Sequence, residues 1–122
     1  MKILHIEDNV YKYHEINKVI NQCGVHSVDW VECLNDGIKM MEENEYDLVI
    51  TDMYYPIEKN GEEIEAGDLF IRESSKRGWK VPIILCSSLA YHYPELLGTI
   101  HFSFNGDWED DFKNYMKKLG GW

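Results

Sequence analysis

The chain is poor in cysteine, in positive charge and in long apolar runs, and each shortage excludes something. Its three cysteines, Cys23, Cys33 and Cys86, are odd in number and widely spaced. They lack the paired spacing of a zinc site or a disulfide framework, so a reducing cytoplasm is the expected compartment. The N-terminus enters a strand-like run at once and meets acids at Glu7 and Asp8, which leaves no signal-peptide core and no spanning helix there. Lysine and arginine number 12 against 22 aspartates and glutamates, a formal net charge of −10. That balance opposes direct binding to nucleic acid or an anionic membrane and favours cations and basic partners. The five histidines, His5, His14, His26, His92 and His101, have no ligand spacing and read as packing or surface residues, with His5 buried in the first strand. No internal repeat or low-complexity linker interrupts the 122 residues, so a single domain over 1–122 is expected.

What the chain does have is alternation. Lys2 to Ile6 is a short strand-like run, and from Val10 the apolar residues Val10, Tyr13, Ile16, Ile20 and Cys23 recur at helical intervals until Gly24. Val25 to Val31 predicts a second strand, and Asn35 is the expected cap of a helix carrying Ile38 and Met41. Leu48-Val49-Ile50 and Ile83-Ile84-Leu85 are apolar on consecutive residues, as central parallel strands covered on both faces should be. Between them lies a polar stretch from Met53 to Gly67, then Asp68 as a cap for a helix reaching about Gly78. Pro94 limits a fourth helix to a turn or two. Thr99 to Phe104 predicts a fifth strand, and Asp107 caps a last helix with acids early and Lys113, Lys117 and Lys118 late. Five such alternations with short connections predict an α/β doubly wound parallel sheet.

Three carboxylates stand where two of these strands end: Glu7 and Asp8 after the first, Asp52 after the third. In the strand order 2-1-3-4-5 those two strands are neighbours, and the acids meet at the switch point where such sheets bind ligands. Two carboxylates roughly 5 Å apart repel by about 3 kcal/mol at an effective dielectric near 20, so a third makes a cation the natural complement. Oxygen-only ligands with room for water suit Mg²⁺ or Mn²⁺ better than zinc.

With these residues in view, the chain resembles the receiver domains of two-component response regulators over nearly its whole length. Ile6-Glu7-Asp8-Asn9 is similar to the acidic pair after the first strand, and Leu48 to Met53 to the phosphoacceptor strand. Pro56 matches the proline four residues after the acceptor, and Cys86-Ser87-Ser88 the hydroxyl-bearing end of the fourth strand. The resemblance implies a flavodoxin-like five-stranded sheet of order 2-1-3-4-5 with about five flanking helices, of which Pro94 shortens the fourth. It implies that Asp52 accepts a phosphoryl group from a histidine kinase, a phosphotransfer protein or a small phosphodonor. Glu7, Asp8, Asp52 and the Tyr54 carbonyl would hold Mg²⁺, Ser87 would hydrogen-bond the phosphoryl group, and Phe102 would be the switch aromatic. Such a chain is no enzyme beyond its own phosphorylation; it signals through a downstream protein effector, as a monomer or weak dimer.

The chain also departs from the family. Aligning Gly98 and Phe102 with the family's glycine and switch aromatic puts Asn105 where a lysine normally ends the fifth strand. A neutral donor is roughly half as strong there as a charged one, and Lys59 or His92 are the candidates to replace it from elsewhere. On that reasoning Asn105→Lys strengthens the response to beryllofluoride. The segment from Ser87 to Gly98 is short for the family, and the acidic loop at 57–66 is long. A second reading follows, a phosphorylation-independent pseudo-receiver acting as a protein-binding adaptor. Hydrolases and nucleases of the toprim kind, and haloacid-dehalogenase-like phosphatases, need a second acid where Tyr54 stands.

Overall fold

A computed structural model describes residues 1–103 and 107–120. In chain order the elements are β1 (Lys2–Ile6), α1 (Val10–Gln22), β2 (Ser27–Val31), α2 (Leu34–Glu43), β3 (Leu48–Thr51), β4 (Tyr55–Pro56), β5 (Glu63–Ile64), α3 (Ala66–Lys76), β6 (Ile83–Ser87), β7 (Gly98–His101) and α4 (Asp107–Lys118). Five strands form one parallel sheet in the order β2-β1-β3-β6-β7. With the short ribbon β4–β5 set aside, this is the expected order 2-1-3-4-5, and the flavodoxin-like fold is the observed one.

Side chains alternate across each strand, so successive residues serve two cores. Ile3, Leu48, Ile50, Ile84 and Ile100 pack under α1 and α4 with Ile16, Ile20, Phe112 and Met116. Leu4, Ile6, Val49 and Ile83 pack on the opposite face with Met41 of α2 and Phe70 of α3. The register fixes the functional end. Ile6 pairs with Thr51, so Glu7 and Asp52 emerge side by side, and the Asp52 amide donates to Ile6 O at 3.1 Å.

Several boundaries differ from expectation, each for a local reason. Val10 is half-exposed and it is Lys12 that turns inward on α1, because Asn9 starts the helix by accepting from the Lys12 amide at 3.0 Å. Val25 stands outside β2, 99% exposed, after Gly24 turns the chain at φ 117°. Cys33 precedes α2, so Asn35 lies in its first turn; its amide donates to Ile57 O. Asp68 is likewise inside α3, behind Glu65, and its carboxylate is taken by Arg72 and the Tyr93 hydroxyl. Asp107 opens α4 as its first residue.

The larger correction lies between β6 and β7. Among the described residues that connection contains no helix, so four helices flank the sheet instead of about five. Pro94 has no N–H and disfavours the helical region for Tyr93, while the Leu97 amide is drawn to Ile83 O at 3.1 Å. β7 ends at His101, short of the expected Phe104. Conversely, the stretch expected as loop contains an antiparallel ribbon, Tyr55 pairing with Ile64 and Pro56 with Glu63. Tyr55 is fully buried beneath it, its hydroxyl 2.9 Å from Thr51 Oγ1. Among the described residues no helix is long and apolar enough to cross a membrane.

Candidate functional site

Because β1 and β3 end at the same level, Glu7, Asp8 and Asp52 converge: one oxygen from each lies within 4.8 Å of the others. Glu7 is fully buried, and the other two are half-buried. Asp52 Oδ1 accepts from the Met53 amide at 2.8 Å. Glu7 Oε2 accepts from the Asn9 amide at 3.2 Å, and the Glu7 carbonyl from the Trp30 indole at 2.7 Å. Trp30 in turn stacks on Tyr13, centroids 3.9 Å apart and planes within 8°. The cluster is thus held from below by α1 and β2.

The unexpected member is Lys12. Its ammonium lies 3.0 Å from Glu7 Oε1 and 3.0 Å from Asp52 Oδ1, donates to the Cys86 carbonyl at 2.6 Å, and sits 5.6 Å from the centre of the Phe102 ring. It is only 6% exposed. Glu7 Oε1 makes no hydrogen bond of good geometry, so its contact with Lys12 is chiefly ionic.

The electrostatics follow from burial and crowding. Burial, reinforced by the Asp52 charge and opposed by Lys12, pushes the Glu7 carboxyl up to about 8. Asp8 rises to about 7, first through burial and then through Glu63 and Asp52. For Lys12, burial works against the charge, but the Glu7 and Asp52 carboxylates outweigh it and raise the pKa. His5 is buried with Nδ1 unpartnered, and burial followed by the Lys12 charge lowers it to about 3, so it packs as a neutral ring. Burial raises the Cys86 thiol to about 12, which removes it as a nucleophile.

A cleft of about 570 Å³ opens over the cluster and is lined by Asp8, Lys12, Asp52, Tyr54, Ser87 and Phe102 among others. Six of the residues expected from the sequence, Glu7, Asp8, Asp52, Tyr54, Ser87 and Phe102, are therefore in or beside one site. Ser87 ends β6, is 2% exposed, and accepts from the Leu89 amide at 3.4 Å. Phe102 packs on Trp108, centroids 5.0 Å apart. Asn105 lies outside the described residues. Neither candidate replacement cation lines the cleft: Lys59 is exposed and 3.8 Å from Glu32, and His92 is exposed.

Sequence reasoning missed Lys12 and the approach of Glu63 to Asp8. Lys12 follows Asp8 by four residues and precedes buried Ile16 by four, so a lysine on the apolar stripe of α1 was the available signal. Glu63 had none, because its approach depends on the β4–β5 ribbon.

No protein-family model and no curated protein matches the chain. Solved structures do match. The response regulator TrrA from Thermotoga maritima, in complex with Mg²⁺ and beryllofluoride, is 23% identical with a TM-score of 0.75, covering 97% of each chain. The response regulatory domain of mrkE from Klebsiella pneumoniae is 20% identical with a TM-score of 0.77, over 98% of this chain and 95% of that one. TrrA in complex with the histidine kinase ThkA matches at a TM-score of 0.71 and 23% identity, again over 97% of each chain. The chain has the receiver-domain fold.

Within that fold the donor set suits a small divalent cation. Three hard carboxylate oxygens converge, and two of their carboxyl groups have pKa values pushed up to about 7 and about 8. A cation with oxygen preference, such as Mg²⁺ or Mn²⁺, would relieve both conditions.

Proposed function

We propose that this chain is a response-regulator receiver that accepts a phosphoryl group on Asp52 in the presence of Mg²⁺ or Mn²⁺ and signals through a protein partner. One observation carries the reading: the convergence of Glu7, Asp8 and Asp52 within 4.8 Å at the switch point of a receiver fold. Glu7, Asp8, Asp52 and the Tyr54 carbonyl hold the cation. Bound there, it supplies positive charge to phosphoryl oxygens, on which phosphoryl transfer chiefly depends.

The chain's own groups do the rest. Asp52 Oδ1 is occupied by the Met53 amide and Lys12, and among the described residues no such contact involves Oδ2. The attacking oxygen is the one that does not hold the cation, and Oδ2, free of such contacts among the described residues, is assigned that role. It forms a bond to phosphorus while the bond from phosphorus to the donor breaks. The electron pair stays on the leaving atom, an imidazole nitrogen of a histidine kinase or phosphotransfer protein, or an acetate oxygen of acetyl phosphate. Ser87, freed from the Leu89 amide, donates its hydroxyl to a phosphoryl oxygen, and Phe102 relays the change to the surface. No foreign substrate is turned over; the chain acts in the cytoplasm on its own acceptor. That TrrA, of the same fold, has been seen with a histidine kinase supports a kinase as the donor.

A second reading, the pseudo-receiver adaptor, is favoured by the missing helix between β6 and β7, since the face that would report phosphorylation is reduced. The two separate by incubation with Mg²⁺ and acetyl phosphate followed by intact mass, beside Asp52→Ala. A phosphoryl adduct lost in the variant supports the receiver. No adduct, even with a cognate kinase, leaves the adaptor.

A further inference from the structure

We propose that Lys12, reaching in from α1, is the cation that holds the phosphoryl group on Asp52 and couples it to Phe102, a role resting on the receiver reading above. Its ammonium already contacts the acceptor carboxylate, at 3.0 Å from Oδ1, and a group joined to Oδ2 of the same carboxylate comes within its reach. It is aimed by two further anchors, Glu7 Oε1 at 3.0 Å and the Cys86 carbonyl at 2.6 Å. The second tethers it to β6 next to Ser87, the hydroxyl expected on the same phosphoryl group.

Stability alone does not account for a lysine at this position. A buried ion pair is a weak stabiliser, because desolvation offsets the attraction, and the neighbouring inward positions on α1, Ile16, Val19 and Ile20, are apolar. Charge does account for it. Lys12 and one divalent cation together balance the three carboxylates.

The coupling follows from contact. The Lys12 ammonium lies over the Phe102 ring, and Phe102 packs on Trp108 of α4. The Phe102 amide is fixed to Ser87 O at 2.7 Å. A shift of the ammonium toward a phosphoryl oxygen therefore withdraws charge from one face of Phe102 while its backbone stays anchored.

The test is beryllofluoride binding at saturating Mg²⁺, followed by ¹⁹F NMR and tryptophan fluorescence, in the wild type, Lys12→Met, Lys12→Gln, Lys12→Arg and Asp52→Asn. Lys12→Gln keeps a donor for the Cys86 carbonyl, and thermal unfolding identifies the variants that fold. Loss of the charge should weaken beryllofluoride binding by about tenfold or more in Lys12→Met and Lys12→Gln, with Mg²⁺ affinity unchanged or higher and partial recovery in Lys12→Arg. Binding within about twofold of wild type in the uncharged variants overturns the role of Lys12 and leaves the phosphoacceptor reading standing. Parallel loss of Mg²⁺ and beryllofluoride in a folded variant makes Lys12 a structural support and also overturns it. A wild type that binds no more beryllofluoride than Asp52→Asn overturns the phosphoacceptor reading, and the assignment of Lys12 falls with it.

Discussion

The two halves of the cleft are built differently. On the β1–β3 side, two of the three carboxylates are held by backbone amides, and a buried lysine pairs with both. The Met53 amide holds Asp52, the Asn9 amide holds Glu7, and the start of α3 presses on the acceptor strand, the Gly67 amide donating to Met53 O at 2.9 Å. On the β6–β7 side the connection has no helix among the described residues, the Ser87 hydroxyl accepts from the Leu89 amide of its own loop, and the Phe102 ring packs on Trp108 while its amide is anchored to Ser87 O. On the receiver reading proposed above, the difference teaches that binding and readout are held by separate parts of the molecule. Lys12 is rooted in the first and touches the second through Cys86 and Phe102.

Two glycines test that contrast most forcefully. A Cβ on Gly67 would lie 2.2 Å from the Asp52 carbonyl oxygen and 2.8 Å from Met53 Cα, both backbone atoms. A Cβ on Gly98 would meet the Tyr115 ring at 2.1 Å, but that ring is half-exposed on α4 and can turn away. Gly67→Ala should therefore destabilise by about 3 kcal/mol or more and Gly98→Ala by about 1 kcal/mol, in urea unfolding. Beryllofluoride binding should suffer only in the first. Equal costs would mean that the β6–β7 side is as tightly set as the other.

The next effect concerns charge on the rigid side. Glu7 and Asp8 have folded values raised to about 8 and about 7, above the usual carboxylate value near 4. The folded chain thus binds more protons than the unfolded one, and the stability these groups contribute is lost as pH rises through their folded values. His5 works in the opposite sense and only at acid pH, because its folded value is lowered. Metal-free protein should lose on the order of 5 °C in Tm between pH 6 and pH 9, and saturating Mg²⁺ should remove most of that loss. A Mg²⁺-induced rise that is larger at pH 6 than at pH 9 would contradict the charge account.

The same division explains what the sequence made legible. The strand order and the meeting of Glu7, Asp8 and Asp52 follow from consecutive apolar residues and from acids at strand ends, which are local signals. Lys12 was hidden because a lysine on a helix is ordinarily a solvated surface residue, and its burial depends on where α1 sits over β6. The missing helix was half-visible in Pro94. The β4–β5 ribbon, which brings Glu63 toward Asp8, was invisible because a two-residue pairing leaves no periodicity to read.

The smallest expected effect is the most informative about Lys12. From the sequence alone, Asn105→Lys restores a missing cation and should strengthen the beryllofluoride response. With Lys12 already 3.0 Å from the acceptor, a second ammonium brought to the same anion meets repulsion from the first. Asn105→Lys in the wild type should then shift beryllofluoride affinity by less than about threefold, whereas in Lys12→Met it should recover most of the loss. A gain of about tenfold in the wild type, measured by the same titration, would mean that the site lacks its phosphoryl-binding cation after all. Lys12 would then serve only to neutralise Glu7, and the two halves of the cleft would be joined through the fifth strand of the sheet instead of through α1.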